Sequence, residues 1–134
     1  MDPVSTKALN ELFKHGSTWL VNLSRAKSAR KSASVKALRK VITSSRETAV
    51  YIRQLNDTNN HRDHERERYL SMLWTELGFE LEDLGINNLA KRCQIKGKHW
   101  SDPQHYHADF LQKADISLDR MERIAREVLA GIKH

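Results

Sequence analysis

Cysteine is nearly missing from this sequence. Cys93 is the only one in 134 residues, which excludes an intrachain disulfide and a thiolate zinc cluster. Two prolines and five glycines are too few to punctuate many short strands, so long helices are expected. No apolar run approaches the roughly 18 residues of a membrane span, and the first residues lack the basic-then-apolar pattern of a signal peptide. The expectation is a soluble, cytoplasmic protein that engages no membrane. Acidic side chains are also missing where they would matter most. Residues 24–47 hold eight Lys and Arg, and the first acid is the last residue, Glu47.

The net charge of +6 is correspondingly uneven. Residues 1–60 carry eleven basic and four acidic side chains, whereas residues 61–134 carry twelve and thirteen. Nearly all the excess lies in the first half.

Apolar spacing divides the chain into helices. Leu9, Leu12, Gly16, Trp19 and Leu23 form one stripe, widened by Phe13 and Leu20, and predict a first helix over about 4–24. Val35, Leu38, Ile42, Ser45, Ala49 and Ile52 predict a second, with Ser28, Ser32 or Ser34 as its N-cap. The run 55–63 reads as a turn, with Asn60 capping the third helix. Leu70, Leu73, Trp74, Leu77, Leu81 and Leu84 make that helix's buried face. Gly85 is a left-handed stop, followed by a hydrophobic contact from Ile86. A short helical turn is expected over 88–96, closed by Gly97. Asp102 and Pro103 then read as the cap and first turn of the last helix. Leu111, Ala114, Leu118, Met121, Ala125, Val128 and Ile132 hold its heptad spacing.

The fold expected is all-α: one domain over 1–134, an antiparallel up-down-up-down four-helix bundle with a short extra helical turn between helices 3 and 4. That topology would gather Arg25, Lys27, Arg30, Lys31, Lys36, Arg39 and Lys40 at one end with Lys91, Arg92, Lys96 and Lys98. Such a cluster repels itself unless an anion shares the surface. Nucleic-acid phosphate is the leading partner, with Trp100 and Tyr106 placed to stack on bases; an acidic protein surface is the alternative.

The reading is therefore a non-enzymatic helical binding module, without cofactor or metal, that engages nucleic-acid backbone, within a larger assembly or alone. The alternative is a protein-interaction or adaptor bundle. A third reading, a metal-free ribonuclease, rests on Arg92 and His99, an Arg-x6-His pair with a guanidinium for phosphate and an imidazole for proton transfer. No nucleophile motif, paired carboxylate or glycine-rich phosphate loop accompanies it. His61 and His64 are expected about 30 Å from His99, His105 and His107, too far for one ion to bridge. Met72 and Phe79 project opposite the leucine stripe of helix 3 and suggest a partner interface, such as a homodimer.

Overall fold

The structure, a computed structural model, describes residues 6–105 and 117–133, with side chains for 28–105 and 117–132. The described residues are helical throughout, apart from short connections, and contain no strand. Helix α1 spans Thr6–Asp57, α2 His64–Asp83 and α3 Asn87–Ser101; a 3-10 turn covers Pro103–His105, and α4 spans Leu118–Lys133. The chain divides into two compact units, Met1–Ala33 and Ser34–His134.

The break expected between a first and a second helix is not there. Residues 24–35 are helical, and α1 is one helix of 52 residues. No glycine or proline occurs between Gly16 and Gly78, and the segment is rich in Ala, Lys and Arg, which are strong helix formers. The serines proposed as caps lie inside the helix, because a serine caps only where the backbone has already left helical angles. The apolar stripe at Leu9, Leu12, Phe13, Gly16, Trp19, Leu20 and Leu23 lies outside the described side chains.

The second unit holds the described core. On α1 the buried side is Ser34, Ala37, Leu38, Val41, Ser44, Ser45, Thr48 and Tyr51. Val35 and Ile42 are half-buried, while Ala49 and Ile52, expected inside, are exposed. The phase differs because small hydroxyl residues occupy the seam. Ser45 donates to the Val41 carbonyl (2.8 Å) and Thr48 to the Ser44 carbonyl (2.8 Å). With their hydroxyls satisfied by the preceding turn, they bury as small side chains.

Asn60 does not cap α2. It and Asn59 sit in left-handed conformations (φ 64° and 55°) that turn the chain. Asp63 is the cap, its Oδ1 accepting the Arg66 amide at 3.1 Å. At the far end Gly85 has φ 78°. The Gly85 amide donates to Glu82 (3.0 Å) and the Ile86 amide to Leu81 (2.9 Å), the paired bonds of a Schellman stop. The expected inner face of α2 is there: Leu70, Trp74, Leu77 and Leu81 are buried, with Leu73 and Leu84 packed at the margin.

A full helix, α3, stands where a short turn ending at Gly97 is expected. Gly97 lies inside it, against α2. A Cβ at Gly97 would fall 2.8 Å from the Thr75 backbone nitrogen; one at Gly78 of α2 would fall 3.1 Å from the Ala90 carbonyl oxygen. The two glycines remove the side chains that would hold α2 and α3 apart. Asp102 ends α3 instead of starting the last helix, and Pro103 opens the 3-10 turn. In α4 Met121 and Ala125 are buried, with Leu118, Val128 and Ile132 packed beside them, in the expected phase. Leu111 and Ala114 lie outside the described residues.

Candidate functional site

At 100° per residue, Lys36, Arg39, Thr43, Arg46, Val50 and Arg53 fall on one side of α1, opposite its buried seam. All six are exposed. Four cations and no acid thus line about 25 Å of helix at 1.5 Å per residue. Arg46 reaches Glu122 of α4 at 3.5 Å. Lys40, on the flank of this row, meets Glu80 of α2 at 3.5 Å. Both pairs keep one largely exposed member, so water and salt leave them weak. In the first unit residues 28–33, including Arg30 and Lys31, are exposed; the side chains of Arg25 and Lys27 lie outside the described set.

The second basic group is dispersed along α3. Lys91 and Lys98 are exposed, Arg92 is half-buried and Lys96 is 7% exposed. Lys96 is therefore no surface contact, because it falls on the side of α3 turned into the core. Burial lowers its ammonium to about 8, against an opposing influence from Cys93. Nor does the whole group share one end with Lys36, Arg39 and Lys40: residues 90–94 lie beside Gly78, level with Glu80, whereas Gly97 lies beside Thr75. Lys40 meets Glu80, near the turn that begins α3, whereas Trp100 near the end of α3 stacks edge-on against Tyr51, ring centroids 5.6 Å apart. Lys98 thus lies well over a helical turn from Lys40, and the expected basic cap becomes a ladder along α1.

Where α1 ends, α2 starts and α3 ends, buried polar groups meet. The Tyr51 hydroxyl donates to Glu67 Oε2 (2.7 Å) and accepts the Asp63 amide (3.0 Å). Arg62 Nε lies 3.6 Å and His64 Nδ1 4.0 Å from the same carboxylate. Desolvation raises the Tyr51 phenol above its ordinary value, so it stays a donor. Hollows of about 320 and 180 Å³ adjoin this cluster and share His64, Glu67 and Ser101. His64 thus stands near the end of α3, not about 30 Å from it, because α3 runs back along α2. No group of three metal-ligating residues forms among the described residues; Tyr106 and His107 lie outside them.

Arg92 and His99 occupy one side of α3, two turns or about 10 Å apart. Burial, then the charges of Lys96 and Arg62, push the His99 imidazole down to about 4. It is neutral at pH 7, and its ring rests edge-on against Trp100 at 4.9 Å. A neutral, partly covered imidazole is a poor proton donor to a leaving group. Cys93 is buried and its thiol is pushed up to about 12, which leaves it unreactive.

The exposed α1 row and the glycine contact were both within reach of the sequence. Following the hydroxyl-bearing positions as well as the apolar ones gives the right phase of α1. Gly78, in a helix otherwise free of glycine, is the signal for the α2–α3 approach. Compared with known protein families, curated proteins and solved structures, the chain matches none.

Proposed function

We propose that the protein is a non-enzymatic binding module whose α1 engages a nucleic-acid backbone. The observation that carries this reading is the cationic row Lys36, Arg39, Arg46 and Arg53, exposed along one side of a helix with no acid in line. Cations at fixed rise meet a repeating phosphate charge without reading bases, so binding is sequence-tolerant and driven by counterion release. The helices packed against the buried side of α1 serve as the row's support. In the first unit, Arg30 and Lys31 add exposed charge of the same sign.

The test is the triple variant Lys36→Gln, Arg39→Gln, Arg53→Gln, titrated with random duplex and single strand over a range of salt. Affinity should fall alike for all sequences, and the slope of log affinity against log salt should flatten by about 0.9 per contact on duplex or about 0.7 on single strand. Arg120, Arg123 and Arg126 of α4, changed together, are the control, since Asp119, Glu122 and Glu127 stand among them. Equal losses from both sets mean diffuse attraction and no defined row. No binding by the native protein at low salt ends the nucleic-acid reading and favours a protein partner.

A further inference from the structure

Helix α2 carries a second seam, on the side away from the core. Glu65, Tyr69, Met72, Glu76, Phe79 and Asp83 follow one another at steps of four and three, and all six are exposed. The apolar members are not marginal: Tyr69 is 46%, Met72 54% and Phe79 53% exposed. Three large apolar side chains on the outside of a helix whose other side is already buried mark a contact surface. Its carboxylates say what kind. Two such seams facing each other would bring acid against acid, each residue against its own copy in a parallel pair or Glu65 against Asp83 in an antiparallel one, a like-charge arrangement that suppresses pairing.

The chain itself carries the complement. The outer row of α1 from Lys36 to Arg53 covers about 25 Å, the seam of α2 from Glu65 to Asp83 about 27 Å. One bears four cations; the other bears three anions set among aromatic and thioether side chains. Val50, 48% exposed, and the aliphatic stems of Lys36 and the arginines supply apolar cover for Met72. Guanidinium planes stack on aromatic faces, and Arg66 already lies 5.7 Å from the centre of the Tyr69 ring within one molecule.

We infer that the outer seam of α2 is a docking surface for the cationic row of α1 in a second copy of this chain. The contact is heterologous: each copy offers one seam of each kind, so copies add head to tail and either close a ring or continue. It occupies the same α1 row as the binding reading above, so one row serves one contact at a time, and because assembly needs no nucleic acid the two are tested separately.

The test is sedimentation equilibrium of the full chain without nucleic acid, over micromolar to millimolar concentration. The native protein should show a mass rising beyond the dimer with concentration and falling back at high salt. One variant reverses the α2 seam (Glu76→Lys, Asp83→Lys); another reverses the α1 row (Lys36→Glu, Arg39→Glu, Arg53→Glu). Each alone should remain monomeric, and an equimolar mixture should recover assembly, since the reversed seams match across the two variants. A third variant, Met72→Ser and Phe79→Ser, leaves the charges in place and should weaken assembly. Circular dichroism checks that each variant is folded. A native chain that is monomeric throughout overturns the proposal, as does a mixture that fails to assemble. Assembly that survives in the α1 variant but not in the Met72 and Phe79 variant overturns it too, because α2 would then be pairing with α2.

Discussion

Helix α2 is joined to its two neighbours in opposite ways. Against α1 it is stitched by side chains: Trp74 Nε1 donates to Thr48 Oγ1 at 2.9 Å, and Glu67 accepts the Tyr51 hydroxyl at 2.7 Å. Against α3 it is joined by missing side chains, Gly78 and Gly97, with the Ser71 hydroxyl donating to the Gly97 carbonyl at 2.8 Å. The first contact specifies register through polar groups that are costly to bury unpaired. The second specifies distance, because two backbones this close tolerate no added carbon. One helix thus has a neighbour it recognises chemically and a neighbour it recognises by shape.

The contrast breaks most severely at Gly97. Gly97→Ala puts a Cβ against the Thr75 backbone, which cannot swing aside, and should cost about 3 kcal/mol in urea unfolding, at the top of the overpacking range. Gly78→Ala should cost about half of that, since the nearest atom is the movable Cγ of Gln94. A smaller loss at Gly97 than at Gly78 would reverse the assignment of the tighter approach.

Acid should act where the two contacts meet. His99 beside Trp100 has its imidazole lowered to about 4 by burial and by Lys96 and Arg62, below the roughly 6.5 of a free histidine. Between those values the unfolded chain binds the proton and the folded one does not, so stability falls as pH drops through the window. The loss should approach about 3 kcal/mol near pH 4. Replacing His99 by Gln should flatten that part of the stability profile, and an unchanged profile would relocate the acid sensitivity.

The stitched contact should give way in smaller steps. Tyr51→Phe takes one hydrogen bond from buried Glu67 and one from the Asp63 amide, for a loss of about 2 kcal/mol by thermal or urea unfolding. Thr48→Val keeps the volume but strands the Trp74 indole N–H, for about 1 kcal/mol. A neutral result at both would mean that apolar burial alone joins α1 to α2. Smallest at any one site is the outer row. Lys36→Gln, Arg39→Gln and Arg53→Gln together should change stability by no more than about 0.5 kcal/mol per site.

The two contacts were unequally legible from the sequence. Leucine spacing and Gly85 define the inner face and the stop of α2, because there apolar pattern and turn chemistry agree, whereas Met121 and Ala125 mark the inner side of α4 by apolar spacing alone. The α1 seam is hidden from an apolar pattern, since Ser44, Ser45 and Thr48 are buried and the Ser45 and Thr48 hydroxyls turn back on their own helix. The break before residue 35 was expected from serines that can cap a helix and equally sit within one. Gly97 reads as a terminator because a glycine's backbone freedom is visible in sequence, whereas its lack of a side chain matters only beside a neighbour. Helical phase puts Lys36, Arg39 and Lys40 outward, where they are exposed, but charge alone puts Lys96 at the surface, and it is buried. Its position on the inner side of α3 follows from Leu89 and Cys93, at seven and three residues before it.

The solitary thiol has a use as a timepiece. Cys93 sits at the centre of the unit, fully buried, with its thiol held protonated by surroundings that push it up to about 12. Its thiolate can attack a disulfide reagent, releasing the reagent's other sulfur as a thiolate, only in molecules whose α3 has momentarily come away. With reagent in excess, the slow reaction of the native protein therefore counts openings. Since the chain has no second cysteine to compete, each label records one excursion of the interior into water, and the same trace read for Gly97→Ala and Thr48→Val would tell which neighbour of α2 lets go first.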